Sequence, residues 1–179
     1  MSIGIPMIRY FAHCIAWGCT FALIALPLAA LYFLFDIAQF TELAIRNLGL
    51  PVQWHTVMDL QWYALWLATA IYLSLGLIGL YFLRRAFFNF ARGELFSLNN
   101  SRDLRMFSIF LFAQAVAKPV HLSLASILLT MNHPAGERML SISFGSDQIT
   151  LTALAMIMWV LSDLLVKASQ LEQENRQFV

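Results

Sequence analysis

F-A-R-G-E-L-F-S-L-N-N-S-R-D-L-R, residues Phe90 to Arg105, is the polar interruption that decides how the rest of the chain is divided. The runs Leu60 to Leu83 before it and Met106 to Leu129 after it are each long and apolar enough to cross a bilayer as a helix. A short polar stretch between two such runs must reverse the chain at a membrane surface. Helix is expected to continue past Arg84 and Arg85 to about Ala91. Gly93 then takes the left-handed conformation that closes a helix, and the next helix starts near Asn100. Asn100 is expected to cap it, with Asp103 in the acidic place of a capping box.

Composition agrees with this reading. Of 179 residues, 60% are hydrophobic and 12% charged, against about 45–50% and about 25% in soluble domains. The net charge of +1 gives no basic face of the kind that displaces counterions from nucleic acid, so direct nucleic-acid binding is not expected.

Two further runs complete the architecture. Tyr10 to Phe35 follows Arg9 and carries no charge until Asp36. It exceeds the roughly 7–15 apolar residues of a signal peptide, so it is expected to remain as a membrane helix. Pro27 is a candidate kink, and Gly18, Ala22, Ala25 and Ala29 form a stripe suited to close helix packing. Cys14 and Cys19 fall in this run and are expected to be small packing residues. The last run is Ile149 to Val166, followed by a polar tail that prolongs its helix.

The expectation is one four-helix transmembrane domain over residues 1–179, with spans at about 10–35, 60–83, 106–129 and 149–166. Residues 36–59 form a polar loop with a helical turn near 41–48. Trp62, Tyr63 and Trp66 suit a membrane interface, and Ser74, Gly76 and Gly79 offer a close-packing face. Between the third and fourth spans, M-N-H-P-A-G-E-R reads as a turn. Leu140, Ile142 and Phe144 then alternate with Ser141 and Ser143, which predicts a short extracytoplasmic β-strand or hairpin.

Orientation follows from the short connections. Arg9, Arg84, Arg85, Arg92, Arg102, Arg105, Lys167 and Arg176 fall on one side; only Arg46 and Arg138 fall on the other. Both termini and the 90–105 connection are therefore expected to be cytoplasmic, and the loop with the strand outside.

Candidate chemistry is sparse. Gln114, Lys118 and His121 share one helical face near mid-membrane, and Pro119 leaves the carbonyl of Ala115 without its usual partner. They could form a polar site for an anion, a lipid headgroup or a proton. Alternatively, Lys118 snorkels or pairs within the bundle. Asp163 is the obvious acid to test, but it lies about 12 Å from Lys118 along the membrane normal. His13 and His121 differ in depth by about 18 Å and cannot share a haem iron. His55 and His133 alone make a weak metal signal. No phosphate loop, nucleophile elbow or carboxylate pair occurs. No cofactor or metal is expected, and an enzyme is the disfavoured class.

The aromatic–basic–Gly-Glu–apolar–Phe-Ser pattern at Phe90, Arg92, Gly93, Glu94, Leu95, Phe96 and Ser97 continues with Asn99 and Leu104-Arg105. With the ending that contains Leu171, Glu174 and Asn175, it resembles a bacterial family known as domain of unknown function 2975. The resemblance runs from about Leu60 onward and implies a small four-helix integral membrane protein. Some members resemble, in gene context, systems with a small helix-turn-helix regulator, which implies a cytoplasmic protein partner.

Two functions are therefore weighed. The first is a membrane-embedded interaction or sensory module that docks a cytoplasmic regulator or another membrane protein through Arg92, Gly93, Glu94, Phe96, Asn99, Asn100, Arg105 and the C-terminal tail. On the plain reading, the arginines of that surface contact lipid phosphates and set orientation. The second is a small transporter or ligand-binding membrane protein using Gln114, Lys118 and His121.

Overall fold

The computed structural model describes residues 4–35, 52–94, 97–134 and 136–177. Four long helices account for most of them: α1 (Gly4–Phe35), α2 (Asp59–Arg92), α3 (Leu98–Thr130) and α4 (Ser146–Gln177). A single 3-10 turn, Trp54–Thr56, precedes α2. All four helices are long and apolar enough to cross a membrane. They overrun the expected spans, above all in α4, where the polar tail continues the helix to Gln177.

The helices pack in chain order, with α2 between α1 and α3, and α3 between α2 and α4. Leu65, Ala125 and Leu129 make one apolar cluster between α2 and α3, and Phe107, Leu111 and Ala155 make a second where α2, α3 and α4 meet. α3 is the central element, and its polarity runs inside out. It buries Asn100, Ser101, Asp103, Ser108, Ser126 and Thr130, while Ile109, Phe112, Val116, Val120, Leu124 and Ile127 are exposed. Lipid solvates apolar side chains as well as a core does, so small and polar residues are the ones driven inward.

Close approach is arranged by small residues. On α2, a Cβ at Gly76 would overlap Gln114, and one at Gly79 would press on Phe110. On α1 the expected stripe is displaced. Ala12, Ala16 and Cys19 are the buried positions, whereas a Cβ at Gly18 would meet open space. The face that meets α2 must also direct Thr20 toward Arg84, whose Nε donates to the threonine hydroxyl at 2.8 Å, and that turns Gly18 outward. Cys19 is buried and Cys14 exposed.

The predicted β-strand is absent: no strand occurs among the described residues, and 139–145 carries no regular secondary structure. Its backbone is held by hydroxyls of α3 instead. The Met139 N–H donates to Thr130 Oγ1 at 3.1 Å and the Ser141 N–H to Ser126 Oγ at 3.0 Å. Ser123 Oγ lies 3.2 Å from the Ser141 carbonyl. Below them, the Gly145 N–H donates to Gln148 Oε1 at 2.7 Å. The alternation in sequence does not become an alternation in exposure: Met139, Leu140, Ile142, Ser143 and Phe144 are all exposed, and of residues 139–144 only Ser141 is partly buried. The segment's partner is a helix face rather than a second strand. The turn at residues 41–48 lies outside the described residues.

This strap sets the register of α4. Ser101 Oγ donates to the Ser162 carbonyl at 2.8 Å, and Lys118 pairs with Asp147, so the two helices run antiparallel with α4 starting beside Lys118. Twelve further residues of α3, about 18 Å, have α2 on one side and only the strap on the side where α4 lies lower down.

Candidate functional site

Two levels of the bundle gather polar groups, and the positions of aromatic and basic residues define them. Trp66, near the start of α2, and Arg84 are eighteen residues apart, about 27 Å along the helix, close to the roughly 30 Å of a hydrocarbon layer. Trp62, Tyr63 and Trp66 mark one boundary, and Arg84, Arg85 and Arg105 the other.

At the arginine end, α2 stops because Gly93 takes φ 93°. Its N–H donates to the Phe90 carbonyl at 3.0 Å and the Glu94 N–H to the Asn89 carbonyl at 3.1 Å, the pattern that satisfies the last carbonyls of a helix. α3 starts three residues earlier than expected. Ser97, not Asn100, is the N-cap: its hydroxyl accepts from the Asn99 N–H at 3.3 Å. Asn100 lies one turn inside the helix, fully buried. Its side-chain amide donates to the Glu94 carbonyl, and its oxygen accepts from Asn89 Nδ2 at 2.8 Å. It therefore ties the turn shut instead of opening the helix.

Asp103 is likewise no capping acid. It is fully buried and takes both Nε and Nη2 of Arg85 in a fork. Such a bidentate pair is the strong form of the ion pair, and Arg85 also stacks over Phe82. Arg105 lies 4.5 Å over the ring of Trp159 on α4, a cation–π contact that fixes the α3–α4 seam. Arg92, Glu94 and Asn99 remain exposed at the turn. Phe96 lies outside the described residues.

Nearer the aromatic boundary, the predicted trio divides between two seams. His121 Nε2 lies 3.0 Å from Thr69 Oγ1, and its ring stacks on Tyr72 at 5.1 Å. Gln114 packs over Gly76 and lines a cavity of about 220 Å³ whose walls come from α1, α2 and α3 and include neither Lys118 nor His121. Lys118 instead reaches α4 and pairs with Asp147, both partly exposed. The sequence does not mark Asp147 as its partner, because it lies two residues before the expected 149–166 span, next to a segment whose alternation predicts an external strand. The signal present in the sequence is the spacing of Ser123, Ser126 and Thr130 along one face of α3, opposite a segment of matching length. The Pro119 carbonyl accepts from Ser123 Oγ at 2.8 Å.

Beyond the aromatic boundary the connections are knitted together. Asn132 Nδ2 donates to the Thr56 carbonyl and to Gln61 Oε1, both at 2.9 Å, and Gln61 donates to the Leu128 carbonyl at 2.9 Å. Buried His133 accepts from the Gln53 N–H at 3.2 Å.

A family described as protein of unknown function (DUF2975) matches residues 39–178. The chain belongs to this family. The match takes in α2, the 90–105 turn, α3, the strap and all of α4, and leaves α1 outside. No curated protein and no solved structure matches the chain. The four apolar helices make this member of the family a multi-pass membrane protein.

Proposed function

We propose that the protein is a non-catalytic interaction module of a bacterial inner membrane, with both termini and the 90–105 turn in the cytoplasm, which docks a protein partner at that end. The observation that carries the reading is the reach of α4. With Ser162 beside Ser101, α4 runs on for fifteen residues to Gln177, about 22 Å, whereas α3 extends only three residues below the same level. Ser169, seven residues past Ser162, is still buried, so the part of α4 that outruns the bundle starts near Gln170 and is about eight residues, or 12 Å, long. Beside it, Arg92, Glu94 and Asn99 are exposed, while Gly93, Asn100 and Arg105 are consumed by closing the turn and the α3–α4 seam. The docking surface is thus narrower than the motif, comprising Arg92, Glu94, Asn99 and the end of α4. The charge asymmetry supports the orientation.

A transport route through Gln114, Lys118 and His121 has less support, because two of these pack on α2 and the third binds α4. Affinity purification in mild detergent tests the docking reading. Wild type should retain a protein that an Arg92→Ala/Glu94→Ala variant and a chain truncated after Leu171 both lose. Identical co-purifying proteins in all three would overturn it. Reporter fusions after Val179 that are active only outside the cytoplasm would overturn the orientation.

A further inference from the structure

Because α4 starts beside Lys118, the outer part of α3, packed on α2 along one face, has only the narrow strap on its α4 side, and a side-opening groove results. Val116 and Val120 of α3, Ile149 and Met156 of α4, and Ile142 and Phe144 of the strap line it, enclosing about 820 Å³. No charged residue lines it; its polar wall is limited to Ser123, Gln148 and Thr152. The Ser123 hydroxyl donates to the Pro119 carbonyl, and the Gln148 amide is occupied by Gly145 and Ser143. The groove therefore offers hydrocarbon contact and almost no hydrogen bonding.

Depth selects the occupant. From Ala115 to Ile127 the groove runs about 18 Å along α3, which is close to one leaflet of a roughly 30 Å hydrocarbon layer, and its upper end lies level with the Trp62 and Trp66 turns. Charge selects the headgroup. Met139 is anchored on Thr130, one turn above Ile127, and the preceding residue, Arg138, is exposed at that end with its Nε on the His133 carbonyl. The neighbouring carboxylate, Glu137, is turned toward Gln53 Nε2 at 2.9 Å. We infer that the groove is a binding site for a glycerophospholipid of the outer leaflet, one acyl chain lying between α3, α4 and the strap and the phosphate meeting Arg138. A second copy of the chain could also cover an apolar groove, but it would bring no phosphate to the exposed Arg138.

Proteoliposomes of phosphatidylethanolamine and phosphatidylglycerol distinguish these occupants. The probe is phosphatidylglycerol with a diazirine at the end of one acyl chain, and a diacylglycerol with the same chain is the phosphate-free control. After photolysis, adducts at Val116 and Met156 should exceed those at Leu28 and Leu31, exposed α1 residues at similar depth, by about five-fold or more, the ratio one arginine contact near a membrane surface confers. Val120→Trp, at a position already exposed, should remove the groove adducts and leave the α1 adducts and the melting temperature unchanged. Arg138→Gln should lower groove labelling by phosphatidylglycerol to the level of diacylglycerol. Equal labelling of the two faces would overturn the site, no response to Arg138→Gln would overturn the phosphate contact, and disulfide dimers of a Val120→Cys chain without groove adducts would assign the groove to a second copy.

Discussion

Lys118 of α3 is paired with Asp147 in the first turn of α4, two residues before the expected 149–166 span begins. The pair holds the start of α4 about 18 Å below the end of α3. A lysine at this depth costs roughly 2.5–3.5 kcal/mol unless it finds a partner, and Asp147 also suits the positive N-terminus of α4.

Removing either charge alone should therefore destabilise the bundle, and removing both should not. Breaking a fully buried pair costs about 3–5 kcal/mol. Here both groups are partly exposed, so about 1–2 kcal/mol is expected for Asp147→Asn or Lys118→Met. Thermal unfolding in detergent should show each single variant melting lower and Lys118→Met/Asp147→Asn recovering most of the loss. Additive losses in the double variant would show that the two residues act separately.

Arg85 and Asp103 make a stricter case, because the carboxylate has no exposure at all. Arg85→Met strands a buried charge and should cost about 3–5 kcal/mol. Arg85→Lys keeps the charge yet cannot form the two-pronged fork, so it should recover only part of the loss. Full recovery by lysine would mean that charge alone matters at this position.

The strap depends on hydroxyls rather than on a sheet. Thr130→Val and Ser126→Ala each delete the acceptor of one strap amide, at Met139 and Ser141. Each net bond is worth about 1 kcal/mol, so exchange of the affected amide should quicken by roughly five-fold. Ser108→Ala, on the same helix but bonded only within it, should leave both amides unchanged. Equal protection in all three variants would mean that the strap does not depend on these hydroxyls.

What could be read before the fold was known follows the range of each interaction. The four helices were legible because a span is a local property of about 20 residues, and Gly93 because closing a helix is a matter of one residue's φ. Asn100 and Asp103 were assigned to capping, their commonest local use. Their observed partners, Asn89 and Arg85, become neighbours only when α2 and α3 lie antiparallel. Leu140 to Phe144 alternate in sequence but not in exposure, because the segment lies singly on α3 and only Ser141 is turned toward it, whereas Ser143 is as open as its apolar neighbours. Gln114, Lys118 and His121 do share a helical face, yet α3 sits between two helices and hands the three side chains to different neighbours.

Gly93 and Gly136 separate backbone conformation from packing. Both have positive φ, 93° and 101°, where a non-glycine residue costs of order 1–3 kcal/mol. A Cβ at Gly136 would meet nothing, whereas one at Gly93 would overlap the guanidinium of Arg9, which lies across the turn from α1. Gly136→Ala should thus show the backbone cost alone. Gly93→Ala should show that cost plus the displacement of Arg9, a flexible side chain, so the excess should be small, about 0.5–1 kcal/mol. In an Arg9→Ala background the excess should vanish, leaving the two glycine variants equally destabilised in a denaturant titration. Gly93→Asn should be milder than Gly93→Ala, because asparagine tolerates the left-handed region. If Arg9→Ala leaves the excess in place, the cost at Gly93 belongs to the bonds of the turn itself, those of Phe90 and Asn89, and α1 is not braced by it.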